Sequence, residues 1–130
     1  MYPMINILAI LSGGALGAAF RQLMFVIFQP LGGEVFPTGT LAANLVGSFL
    51  MGFLWSFFEG TTLTHGWRFF IFTGFLGGFT TFSTFARETT QLFRTGQWKT
   101  ALIYLTVSNL LGIFLVAAGY ALTRKVHLSG

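Results

Sequence analysis

The chain has 130 residues, 54% of them hydrophobic and only 8% charged, with a formal net charge of +4 and a mean hydropathy of +0.76. Soluble domains carry roughly 25% charged residues, so this composition excludes a water-facing globule and makes lipid the solvent for most of the surface. The absence of cysteine removes disulfides and thiolate metal sites, and the scattered placement of the basic residues argues against a nucleic-acid partner.

Crossing a bilayer core of about 30 Å takes about 20 apolar residues in helix, and four such crossings use up nearly all of the chain. The opening Met1-Tyr2-Pro3-Met4 has no basic region of the kind that begins a signal peptide, so the first apolar stretch is expected to stay. The first span is predicted over 5–28, with Gly13, Gly14, Gly17 and Arg21 inside it, and Gln29-Pro30-Leu31-Gly32-Gly33 breaks it. The second follows Pro37, over 38–58, with Thr38 or Thr40 as its cap. The third, over 67–90, is interrupted near 77–80 by Gly77-Gly78 and the threonines after them. The fourth runs over 98–123, with Trp98 and Tyr120 near its ends, where amphipathic rings favour the interface. The fold expected is therefore an all-α membrane domain of four helices with a broken third.

The seven basic residues divide almost evenly between the two sides: Arg68, Arg124 and Lys125 on one, Arg21, Arg87, Arg94 and Lys99 on the other. Orientation follows the Lys/Arg bias of short loops, and so even a division predicts insertion both ways up and pairing with an inverted copy. The alternative is a weak bias that still fixes one orientation.

Small residues four apart (Gly13 and Gly17, Ser48 and Gly52, Gly74 and Gly78) let helices approach closely. Gly77-Gly78 also reads as a break in the third span. Broken helices survive in a bilayer only where protein or a water-filled cavity satisfies the freed backbone groups, and exposed carbonyls at such a break can hold a cation. A kink alone is the competing reading.

Uncharged polar residues recur at helical spacing: Thr40, Asn44 and Ser48 on the second span, Tyr104 and Ser108 beside Asn109 on the fourth, and Thr81, Ser83 and Thr84 on the third. Each one alone reads as interhelical glue. Together they read as a track of hydroxyl and amide donors suited to a small anion. Phe82 and Phe85, three apart, interleave with Ser83 and Thr84, and the positive edges of their rings could face an anion or simply pack. Arg21 is the one basic residue inside a span, either snorkelling as an anchor or drawing anions into a vestibule. Glu34, Glu59 and Glu88 are expected at span ends or in loops, and His65 and His127 are peripheral. No nucleophile–base pair or metal-ligand spacing can be assembled from these residues, so no enzyme is predicted.

The run GFLGGFTTFSTF (74–85), with GTLAANLVG (39–47) and GGALG (13–17) followed by Arg21, resembles the signature of the CrcB family, the Fluc fluoride channels of microbes. The resemblance implies a passive fluoride channel in the cytoplasmic membrane, built as an antiparallel, dual-topology homodimer with two pores. It implies a structural sodium ion (Na+) at the dimer centre, held by the backbone carbonyls of Gly77 and Thr80. It places Phe82, Phe85, Asn44, Ser83, Thr84, Tyr104 and Ser108 along the pore and Arg21 at the vestibule. The partners implied are fluoride, a second copy and membrane lipid. A proton-coupled exporter of similar size would need a carboxylate within the membrane. A purely structural subunit would not conduct.

Overall fold

Nothing in the first apolar stretch opposes a helix until Gln29-Pro30. The computed structural model, which describes residues 3–129 and side chains through Val126, accordingly runs helix α1 over Met4–Phe28 and ends it in a 3-10 turn, Gln29–Gly32. Met1, Tyr2 and the His127 side chain lie outside the described residues. At about 1.5 Å per residue, the 25 residues of α1 exceed a bilayer core. The connection to α2 (Thr38–Phe57) is sewn up by two side chains. Gln29 Oε1 accepts from the Gly39 amide at 3.0 Å while its Nε2 donates to the Phe36 carbonyl at 3.1 Å, and Thr38 Oγ1 donates to the Phe28 carbonyl at 2.6 Å.

Thr64 opens the third span by accepting from the Trp67 amide at 3.4 Å. The span covers His65–Arg94 in two pieces. The first, α3 (residues 65–79), passes from an α turn at His65–Arg68 through widened π turns at Phe69–Leu76 to Gly77–Phe79. Thr80 and Thr81 are extended, and α4 (Phe82–Arg94) resumes the crossing. The break therefore falls on the two threonines rather than on the glycines expected to weaken the helix. Thr80 Oγ1 bonds back to the Leu76 carbonyl at 2.8 Å and Thr81 Oγ1 accepts from the Thr84 amide at 3.3 Å. Threonine hydroxyls compete for backbone groups in this way and favour caps over helix interiors. Helix α5 (Trp98–Ser129) completes four segments long and apolar enough to cross a membrane. Near its far end Tyr120 Oη donates to Glu59 Oε2 at 2.6 Å, clasping α5 to the loop after α2.

The helices pair through missing side chains. A Cβ on Gly13 would strike the Phe70 carbonyl and one on Gly17 the Phe75 carbonyl, while one on Gly74 would lie 2.8 Å from the Ile10 carbonyl and one on Gly78 2.7 Å from that of Gly14. Thus α1 and α3 touch backbone to backbone. Helices α2 and α5 do the same where Gly52 meets Val116 and Gly119 meets Phe49. Gly78, expected as part of the break, is a packing residue. The described core is small: Phe85, Leu92, Ala101 and Tyr104, with Phe36, Leu41 and Phe93 around it. Large apolar side chains such as Ile113, Phe114 and Leu110 point outward, as lipid contact requires.

Gly17→Ala is expected to destabilise the fold by about 1–3 kcal/mol, the usual cost of overpacking. Gly66→Ala, where an added Cβ meets nothing within 4 Å, is expected to stay within about 0.5 kcal/mol of the parent. Denaturant titration of the purified protein in detergent separates the two.

Candidate functional site

An interruption in a membrane helix frees amides and carbonyls that water cannot reach, and each must be answered by protein. Asn44 answers two of them. Its Oδ1 accepts from the Thr81 amide at 2.8 Å and its Nδ2 donates to the Thr81 carbonyl at 3.0 Å, so one amide side chain of α2 takes the place of a helical turn. Because the Thr81 amide goes to Asn44 and the Thr84 amide to Thr81 Oγ1, the carbonyls of Gly77 and Thr80 lose the donors four residues on that a continuous helix would supply.

Beside the break lies a hollow of about 300 Å³. Its lining includes Asn44, Thr81, Phe82, Phe85, Ser108 and Asn109. Four of the seven residues that the resemblance places along the pore (Asn44, Phe82, Phe85 and Ser108) thus meet in one place. The Phe82 and Phe85 rings are 5.9 Å apart and tilted by 55°, yet they differ in setting: Phe85 is buried and Phe82 is 79% exposed. Ser108 Oγ is buried with no hydrogen-bond partner. An unanswered buried hydroxyl costs about 1–3 kcal/mol.

The remaining expected residues fall elsewhere. Thr84 and Arg21 line a second hollow of about 230 Å³, with Gln22, Thr40 and Arg87, and Thr81 belongs to both hollows. Tyr104 is fully buried and backs the Phe85 ring, with centroids 5.1 Å apart in an edge-on arrangement. Ser83 is exposed on the single chain and lines neither hollow.

Glu88 was expected at a span end. It lies in the last two turns of the span that closes at Arg94, with Oε2 accepting from Thr40 Oγ1 and Oε1 from Tyr104 Oη, both at 3.0 Å. The sequence signal for this carboxylate is indirect: Thr40 and Tyr104 are the hydroxyls able to satisfy it, but they lie far along the chain. No group of three or more His, Cys, Asp or Glu converges as a metal site among the described residues.

Four apolar crossings, one of them interrupted beside an uncharged polar hollow, define a multi-pass membrane protein. Residues 8–120 match the family model described as CrcB-like protein, Camphor Resistance (CrcB), and the chain belongs to that family. Relatives named fluoride-specific ion channel FluC include those of Desulfotalea psychrophila, 44% identical over 98% of this chain and 99% of its own; Parabacteroides distasonis, 42% identical over 95% and 96%; and Agrobacterium fabrum, 43% identical over 95% and 99%.

Asn44→Ala removes both bonds to Thr81 and strands two backbone groups, at about 1–3 kcal/mol for each. Hydrogen–deuterium exchange at the Thr81 amide is expected to accelerate about tenfold or more, since 1.4 kcal/mol is a factor of ten, while amides of α5 away from the break keep their protection.

Proposed function

We propose that the chain is a fluoride-selective channel of the cytoplasmic membrane, letting the inside-negative potential drive the anion out. Moving one charge through 100 mV is worth about 2.3 kcal/mol, so no pump is needed. The observation that carries the reading is the company kept by the unpartnered Ser108 hydroxyl: it shares a hollow with Asn44 and the rings of Phe82 and Phe85. A fluoride ion shedding water needs replacement donors. Ser108 offers its O–H. Asn44 keeps a second N–H after serving Thr81, because a carboxamide has two. The ring edges carry partial positive charge. Chloride is larger and a weaker acceptor, so it regains less of its lost hydration from such a lining. The relatives' name supports the same substrate.

The working form is an antiparallel homodimer. Phe82, Ser83 and Gly77 are exposed on the single chain, and the freed carbonyls of Gly77 and Thr80 need partners away from lipid. A second copy covering this face supplies the enclosure. The near-even division of basic residues permits the inverted orientation. The same carbonyls suit a structural sodium ion, a hard cation that takes oxygen donors from freed backbone carbonyls, held between the two copies. Its contribution is to tie the breaks together.

Glu88 gives a proton-coupled exporter its one point of support, since it places a carboxylate within a span. Both of its oxygens accept from hydroxyls and it lies outside the Ser108 hollow, which favours a structural role.

Liposomes loaded with fluoride and containing the purified protein are expected to release it under a potassium potential, without a pH gradient and with chloride retained, as read by ion-selective electrodes. Phe82→Ile and Phe85→Ile are expected to abolish release while size-exclusion chromatography still finds the dimer. Undiminished release in both variants removes the ring-edge mechanism, and release that requires a pH gradient and is lost in Glu88→Gln establishes the exporter.

A further inference from the structure

Where the apolar runs of α2 and α5 stop, a polar hollow of about 390 Å³ opens between them. Its lining is Ser56, Glu59, Tyr120 and Arg124, none of which the channel reading uses. Tyr120 Oη donates to Glu59 Oε2 at 2.6 Å, and Arg124, one turn further along α5, lies against the same hydroxyl. The phenol therefore stands between a carboxylate and a guanidinium. Among the described residues no ion pair joins those two groups, and Glu59 Oε1 has no hydrogen-bond partner. The hollow thus presents one negative and one positive group, held apart and both exposed. On the same face of α5, Ala117 and Ile113 follow at helical spacing and are exposed as well, so an apolar strip leads from the hollow into the bilayer. That strip is turned away from Tyr104 and Ser108, roughly half a turn round the helix.

We infer that this hollow seats the headgroup of a zwitterionic aminophospholipid, its phosphate on Arg124 and its primary ammonium on Glu59, with an acyl chain along Ala117 and Ile113. Each end of the headgroup meets its complement. A guanidinium offers a planar fork of donors that matches phosphate oxygens. A primary ammonium carries three N–H donors, and Glu59 keeps one oxygen free to accept them. A trimethylammonium headgroup has no N–H to give and can satisfy the phosphate side alone. Tyr120 fits the boundary between them, with an apolar ring toward the chains and a polar tip toward the headgroup. The lipid bridges the loop after α2 and the far end of α5, the same two elements that the Tyr120 bond clasps. Nothing in this inference depends on what the protein conducts.

The test uses the full-length protein in detergent with equal amounts of phosphatidylethanolamine and phosphatidylcholine of matched chains, and native mass spectrometry counts the lipid retained. The parent is expected to retain the ethanolamine lipid about threefold over the choline lipid, the scale of an exposed ion pair. Glu59→Gln is expected to erase that preference, and Arg124→Gln to lower the retention of both lipids. Arg68→Gln, outside the hollow, is expected to behave as the parent. Inorganic phosphate added at the lipid's concentration is expected to leave retention unchanged. Equal retention of the two lipids by the parent, a preference that survives Glu59→Gln, or undiminished retention in Arg124→Gln overturns the site. Displacement of the lipid by inorganic phosphate assigns the hollow to a free anion and overturns the lipid reading. The comparison on the parent alone decides against the site even where a variant fails to fold.

Discussion

The extended backbone at Thr80–Thr81 has to be satisfied without water, and much of the molecule is arranged to meet that need. Asn44 can reach Thr81 only if α2 lies against the break, which is why Gly47, one turn further on, has Thr80 and Phe79 where a side chain would otherwise stand. Holding α2 there brings α5 in behind it through Gly52 and Gly119, and α1 closes on α3 through Gly13 and Gly17. None of these approaches draws much on the hydrophobic effect, since lipid is as apolar as the side chains. Close packing and interhelical hydrogen bonds supply the association instead.

That division of labour explains why the crossings were legible in the sequence and the site only partly so. A span announces itself by about 20 apolar residues in a row, and all four stand within a few residues of where composition puts them. The break was legible in kind, from glycines and threonines in succession, but it falls on the threonines, because Gly78 is committed to packing on Gly14. Which side chain answers the break is a different sort of fact. Asn44 is 37 residues from Thr81 in sequence, and helical spacing marks it only as one polar residue on a face. Its bracing of the backbone could not be read from that spacing.

Glu88 and the pair Phe82 and Phe85 show the same limit. A charge beside Arg87 near the end of an apolar run looks like a boundary, and the sequence does not show that Thr40 and Tyr104 come together there to satisfy it. Spacing correctly set Phe82 beside Phe85, but the burial of one and the exposure of the other depend on the reach of α5, which covers Phe85 through Tyr104 and leaves Phe82 open. Ser83, adjacent to Phe82, is turned outward with it. Belonging to a polar run and lining a cavity are separate properties, decided by the phase of α4 against its neighbours.

Conduction requires binding that is favourable on entry and weak enough on exit, and the uncharged lining proposed as the anion's path suits both conditions. A guanidinium at the Ser108 site would hold a dehydrated anion in a low-dielectric pocket with an energy far above that of the same contact in water, and the ion would not leave. A carboxylate there would repel it. Glu88 accepts from two neutral hydroxyls, those of Thr40 and Tyr104, with Arg87 adding a weaker electrostatic hold. That arrangement keeps the negative charge in place and out of the Ser108 hollow. An ion in a hollow lined by partial charges alone exchanges one set of weak contacts for another of similar strength, which is what the proposed channel asks of the Ser108 lining.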